Sequence, residues 1–364
     1  MFLSIIIFII TLLVLVLIHE FGHFLMAKRF GIKVLEFGFG IPPRAIGKKI
    51  GETIYSLNWL LLGGFVRLLG EDEESPVGKK GTSERDFRAK SVGQRIAVVV
   101  AGVAMNLFLA WVLFYIVIAG QGFKIIYPVM EPAVYIAQLE KDFPAQQAGV
   151  EVGEKLAAVD EKEVKDIESA RNLIKSKDQT PTTLTLTDSD GNNLRKVTLT
   201  PKKTEKGDVL IGVVFSPIPF REYKSVPEKL FSGITYSWDL TRITFIGLGK
   251  VVSQLITGDF GQASKAVSGP VGLAAVTGSI LSAGWAAIFP YLWFVGVISL
   301  TLAIFNVLPI PALDGGRLLF LLIEAVTRKK VKEDIERTVH QVGFAILIAL
   351  ALLVTYSDIR KLLP

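Results

Sequence analysis

Charged side chains are missing from four long stretches, residues 1–18, 96–123, 266–313 and 338–357, each dominated by aliphatic and aromatic residues. About 18 or more apolar residues carry a helix across roughly 30 Å of hydrocarbon. Each run therefore predicts a membrane-spanning helix. The first is read over 1–27, ending where Lys28 and Arg29 leave the bilayer. With no basic start and no small-residue cleavage pattern, it is expected to remain as an anchor rather than to be removed as a secretory signal. The second span is placed at 96–120, the third at 287–308 and the fourth at 338–357. Pro309 and Pro311 end the third, because proline supplies no N–H and disfavours helix in the residue before it. The run 266–313 exceeds one span, so its first part is expected at the interface or dipping into it.

Between the spans the pattern changes. Residues 28–95 and 309–337 are rich in Lys and Arg, which places both loops on the cytoplasmic side. Within the first, residues 54–69 are aromatic and branched around Gly63-Gly64, which predicts a β-hairpin. It is too apolar for water and too short to span, so it is read as re-entrant in the membrane. The charged stretch 71–95 is read as a solvated loop. Residues 125–203 alternate as a compact α+β domain, with strands over 129–139, 155–159, 182–187 and 194–200 and a helix over 166–176. Two spans from the outside in and back again leave this domain outside the cell. Residues 217–286 read as a Pro-containing linker followed by amphipathic and interfacial helices. The fold class expected is a polytopic α-helical membrane protein of about four spans, with a membrane-embedded hairpin and one inserted α+β domain.

Composition narrows the chemistry. The chain is 51% hydrophobic and 20% charged with mean hydropathy +0.48, unlike an ordinary soluble enzyme. A net charge of +6 is better explained by topology than by nucleic acid. With no Cys, disulfides, thiolate metal sites, iron-sulfur clusters and thiol nucleophiles are excluded, and a metal must be held by His, Asp or Glu. There are three His, and His19 and His23 lie four apart. On a helix they share one face about 6 Å apart along the axis, suited to two imidazoles meeting one tetrahedral ion. Glu20 follows the first and is free to face a metal-activated water. Paired helical His are surface residues in many soluble proteins, but a Glu between two His at the inner end of a span is costly unless something binds there. Asp314 is a better third ligand than His340: it follows a proline-broken helix end at the same inner depth, whereas His340 opens the last span amid bland neighbours. The competing role for Asp314 is an N-cap of a helix starting near Arg317.

The HEFGH of 19–23, FGFG of 37–40, LGGFVRLLGE of 62–71, AGVAMN of 101–106 and NVLPIPALDGGR of 306–317 together resemble the site-2 protease family of intramembrane zinc metalloproteases, peptidase family M50. They look most like its bacterial sigma-factor-regulating branch, the RseP type. The similarity covers essentially the whole chain, and residues 144–155 look like part of a PDZ domain of the circularly permuted bacterial kind. Two motifs depart from the family: Leu61-Leu62-Gly63-Gly64-Phe65 stands where Pro-Leu-Gly-Gly-Tyr is usual, and Ala101-Gly102-Val103 replaces AGP. One PDZ-like domain fits, where some members carry two.

The resemblance implies one catalytic Zn2+ on His19, His23 and Asp314, with Glu20 as the base and Asn306 at the substrate near the scissile bond. Its expected location is the bacterial inner membrane, with the active site near the cytoplasmic face. Its substrates would be transmembrane segments of single-span proteins already shortened by another protease: anti-sigma factors, membrane-held regulators or signal-peptide remnants. A helical substrate hides its carbonyls in hydrogen bonds, so it must unwind, and the hairpin around Gly63, Gly64 and Phe65 offers an edge for the extended chain. Packing alone is the other reading of that hairpin. Two other classes stand beside the protease: a non-catalytic scaffold with a structural metal, in which Glu20→Gln is silent, and a transporter, which lacks support from inverted repeats.

Overall fold

The structure is a computed structural model that describes residues 2–71, 83–127, 129, 133–177, 179–188, 193–203 and 208–362. Helices over Leu3–Arg29, Val92–Gly120, Gly284–Val307 and Asp334–Lys361 are long and apolar enough to cross a membrane. The shortest, of 24 residues, reaches about 36 Å at 1.5 Å per residue. The protein is a multi-pass membrane protein. It divides into two units, residues 1–117 with 250–364, and residues 118–249.

The first unit opens with α1 (Phe2–Arg29), whose last turn carries Lys28 and Arg29 against the negative end of the helix dipole. Next come β1 (Val34–Ile50) and β2 (Thr53–Leu68), joined at Gly51 and Glu52. A hairpin confined to 54–69 and turning at Gly63-Gly64 is not formed. Instead β2 passes through both glycines and takes its partners from β1. Without side chains the two glycines let the strand bend rather than reverse, and Gly63 takes φ 94. The register makes this a folded sheet: residues 34–39 face 64–68 antiparallel, and residues 44–50 face 53–58 antiparallel. Residues 36–41 lie beside 54–60 with both running the same way. Of the loop expected over 71–95, residues 72–82 lie outside the described residues.

Glu52, at the sheet's tight turn, receives Lys28 Nζ and Arg85 Nη2, each at 2.7 Å. The bonds from Arg85 and Lys28 pull its carboxyl down to about 2. A carboxyl depressed in the folded state stabilises it in full above its unfolded pKa and loses that contribution as pH falls through the folded value. The stability difference between wild type and Glu52→Gln is therefore expected to be constant above about pH 4.5 and to shrink between there and about pH 2. Thermal unfolding at stepped pH reads it; a difference that grows on acidification would refute the assignment.

α2 (Val92–Gly120) follows, and Val98 joins Ala27, Ile32, Val34 and Leu68 in a core beneath the sheet.

The second unit begins with β3 (Lys124–Ile126) and β4 (Tyr135–Leu139). Of the strand expected over 129–139, residues 130–132 lie outside the described residues. Then come α3 (Pro144–Gln147), β5 (Lys155–Val159), β6 (Lys162–Glu163), α4 (Ile167–Lys175), β7 (Thr182–Thr187) and β8 (Arg195–Leu199). α4 starts at a capping box, Asp166 accepting the Ser169 N–H at 2.7 Å. Its Ala170 and Ile174 pack with Ile136, Leu156, Leu184 and Leu186. After β9 (Lys202–Lys203) and β10 (Val209–Leu210), β11 (Val213–Ser216) returns to pair with β4, giving the order β11-β4-β5-β7-β8 with β6 beside β5. The α+β unit thus runs past residue 203. β11 is short and leads into Pro217 and Pro219, so locally it reads as linker, and its partner is far upstream. β12 (Phe220–Glu222) pairs with β3, and α5 (Val226–Leu230) leads into α6 (Ser232–Ile256).

Back in the first unit are α7 (Phe260–Ala266), α8 (Pro270–Leu281), α9 (Ile288–Val307), α10 (Asp314–Thr327) and α11 (Glu333–Leu362). At 12 residues α8 is too short to span. Its first turn is capped in trans by Asp358 of α11, a buried carboxylate accepting from the Gly269 and Gly272 N–H groups at 2.8 Å. Phe8 and Leu15 of α1 meet Phe294 and Ile298 of α9 in a second core. Phe344, Leu350, Leu352 and Leu353 of α11 are exposed, as lipid-facing residues are.

Candidate active site

α1 carries His19 and His23 on one face, their rings 4.8 Å apart between centroids and nearly perpendicular. The third component arrives from the far end of the chain. α9 stops at Leu308, which is extended before Pro309, and a tight turn follows, in which the Leu313 N–H bonds to the Ile310 carbonyl. α10 then opens at Asp314. Its N-cap position is Leu313, so Asp314 is not a cap for a helix starting near Arg317. Asp314 Oδ2 lies 2.8 Å from His19 Nε2 and 3.2 Å from His23 Nε2, and the two nitrogens are 3.1 Å apart. Burial pushes the Asp314 carboxyl up, but the two imidazoles beside it hold it well below the usual range, as an anion.

Residues of α2 orient the imidazoles. His23 Nδ1–H donates to the Val98 carbonyl at 2.8 Å, so Nε2 is the nitrogen free to ligate a metal shared with Asp314. Asn106, fully buried, places its amide 3.4 Å from His19 Nδ1, and its Oδ1 finds no partner among the described residues. Amide oxygen and nitrogen are interchangeable by a flip. With Oδ1 turned to His19, it accepts Nδ1–H, the orphaned oxygen is satisfied and His19 Nε2 is freed as a donor to a metal. Gly102 lies directly over both rings: a Cβ there would sit 2.4 Å from His23 Nε2 and 2.8 Å from His19 Cε1.

These three donor atoms lie within 4.8 Å of one another and form the one group of His and acidic residues of metal-binding arrangement among the described residues. Ligands about 2.0–2.1 Å from a tetrahedral zinc are about 3.3 Å apart. The observed 2.8, 3.1 and 3.2 Å fit that edge, and two neutral imidazoles with one carboxylate suit zinc chemically.

Glu20 points into a cavity of about 520 Å3 that also reaches His23 and Asp314. Its far wall is the sheet, from Phe65 to Leu68, with Glu36, Arg44, Asn58 and Arg67 giving it a polar lining. Glu36, buried, is held by Arg44 at 2.6 Å and Arg67 at 2.9 Å. Gly64 lies beside α1, since a Cβ there would be 3.6 Å from Glu20 Cγ. Residues 64–68 pair with β1 on one side only among the described residues. Asn306 sits half-buried in the last turn of α9 and is not among the residues lining this cavity.

Two ion pairs hold α10. Arg317 pairs with Glu71 at the cavity rim. At the other end Arg95 of α2 grips Glu324 in a buried fork, with bonds of 2.6 and 3.0 Å. Gly102 and Asn106 fall in the AGVAMN segment of 101–106, which carries the family resemblance without assigning either a role, and Val98 lies outside every such motif. The available signals were that Asn106 is the sole amide of the run 96–120 and that small residues in spans mark close approach. Asn106→Leu is expected to weaken zinc affinity about 10–100-fold, as loss of a partner behind a ligating imidazole does. Competition against a zinc chelator measures it, and unchanged affinity would remove Asn106 from the site.

A membrane helix bearing H-E-x-x-H, closed by a carboxylate from a second helix, defines a membrane metallohydrolase site. The description "Peptidase family M50" matches residues 7–350. The zinc metalloprotease RasP of Geobacillus kaustophilus is 33% identical, with 98% of each chain covered. A Clostridium acetobutylicum protein carrying a zinc metalloprotease name is 34% identical, again with 98% of each covered. The chain therefore belongs to peptidase family M50 and is a zinc metalloprotease of the site-2 protease family. A crystal structure of the PDZ domain of an SdrC-like protein from Listeria monocytogenes covers 24% of this chain and 92% of its own, at 19% identity and a TM-score of 0.21, too low to carry an argument.

Proposed function

We propose that the protein is an intramembrane endopeptidase that uses one zinc ion to cut transmembrane segments of single-span proteins. The observation that carries this is the convergence of His19, His23 and Asp314, with Glu20 on the cavity that also reaches His23 and Asp314 and is walled by a strand edge. When bound by that triad, zinc supplies Lewis acidity toward water and the scissile carbonyl. Glu20 Oε takes the proton from the attacking water and delivers it to the leaving amine. Val98 and Asn106 keep His23 and His19 in the tautomers that present Nε2. Asn306, near the end of α9, is the residue that the family resemblance puts near the scissile bond, although it does not line this cavity.

A substrate helix must give up its own backbone bonds before its carbonyl is reachable. The edge at 64–68, with Gly63, Gly64 and Phe65 at its entrance, accepts the extended segment as an added strand and replaces those bonds. The polar lining from Glu36, Arg44 and Asn58 keeps water at the cut. Lys28, Arg29 and the basic stretch 328–332 support an orientation with this end of the spans at the cytoplasmic face, in what would be a bacterial inner membrane. The α+β unit then lies outside as a PDZ-like gate that admits stubs left by an earlier cut, such as those of anti-sigma factors, membrane-held regulators or signal peptides, or as a docking site for a terminal carboxylate.

Purified protein with zinc in lipid vesicles, given a single-span test substrate, should cut within the membrane segment, with the bond located by mass spectrometry. Cleavage confined to the soluble flanks would overturn the reading.

A further inference from the structure

We propose that His340 is a positioning residue for the metal site, fixing the turn that presents Asp314; this rests on His19, His23 and Asp314 being the ligands. Asp314 lies 295 residues from His19 and 291 from His23 in the chain, so its place depends on how the turn between α9 and α10 is held. The far end of α10 is gripped through Glu324 by Arg95. The near end is gripped by α11.

The grip is specific. Ala312, two residues before Asp314, has φ 74, a left-handed backbone that an alanine adopts only under constraint. Its N–H donates to His340 Nδ1 at 2.9 Å. Gly343, one turn along the same face of α11, lets the helix press on the preceding residue: a Cβ there would be 2.3 Å from Pro311 Cβ. His340 and Gly343 thus seat Pro311 and Ala312 against the helix.

The imidazole itself marks the purpose. Accepting at Nδ1 requires the tautomer with hydrogen on Nε2, and that nitrogen is buried with no hydrogen-bond partner among the described residues. A leucine would fill the space beside Phe320 without burying an orphaned N–H, which is costly. What the histidine adds over a leucine is an acceptor for Ala312, whose N–H would otherwise be lost from the turn.

The test is zinc affinity, by chelator competition on the full-length protein, read with thermal unfolding of the metal-free form. His340→Leu removes the acceptor, and His340→Gln places its oxygen one bond too far; both are expected to bind zinc about tenfold more weakly, as loosening behind a ligand does. His340→Asn, with Oδ1 where Nδ1 stood, should bind as wild type. Metal-free unfolding should be alike in Asn and Gln variants, which a packing role would not predict alongside different affinities. The proposal is overturned if Leu binds zinc as wild type, if Asn is as weak as Gln, or, should Leu not fold, if Gln binds as wild type. Asp314→Ala separates the two levels. If it loses zinc while the Leu variant keeps it, only the His340 assignment falls; if it keeps zinc, the ligand reading falls and this proposal with it.

Discussion

Glu20→Gln is expected to lower cleavage of a membrane-spanning substrate by about 10²–10⁴-fold, the range for removing a general base, while zinc content stays at the wild-type level. Glutamine keeps the size and hydrogen-bonding reach of the side chain but has no carboxylate to take a proton. Glu20 is outside the three converging donors yet lines the same cavity as His23 and Asp314, so its loss should leave the metal in place. Rates in lipid vesicles and elemental analysis of the same preparation measure both halves. Retained cleavage would remove Glu20 as the base, and lost zinc would make Glu20 a ligand instead.

Gly102→Ala should remove zinc almost as completely as deleting a ligand, with affinity falling by about 100-fold or more. The added methyl would stand 2.4 Å from His23 Nε2 and 2.6 Å from its Cε1, and also 2.8 Å from His19 Cε1, so both rings must turn from Asp314. The helix itself should not suffer, since alanine is preferred to glycine in a helix by about 0.5–1 kcal/mol. Gly93→Ala, earlier on α2, is the control because a Cβ there meets nothing within 4 Å. A Gly102→Ala protein that binds zinc normally would mean that the two helices separate at this crossing without cost to the site.

Much of the layout was legible because it depends on neighbours in the chain. Residues 2–18 of the first uncharged run and the run 338–357 lie within helices Phe2–Arg29 and Glu333–Leu362, since about twenty apolar residues in hydrocarbon must bond their own backbone. The alternation at 182–187 coincides with β7, and the capped stretch after Asp166 with α4. The glycine pair was misleading. Gly63-Gly64 has the composition of a turn, but whether a strand bends or reverses there depends on which segment lies alongside it, and residues 34–39 do. β11 was hidden for the same reason.

Within the site, the pairing of His19 with His23 and the place of Glu20 follow from helical spacing alone, which any chain segment imposes on itself. Meeting Asp314, resting under Gly102, and being backed by Val98 and Asn106 are matters of how α1, α2 and α10 pack, with clamps at Arg95–Glu324 and at His340. Such contacts join residues scores to hundreds of positions apart. Local propensity carries no information about them, because their energy exists only once the helices are side by side.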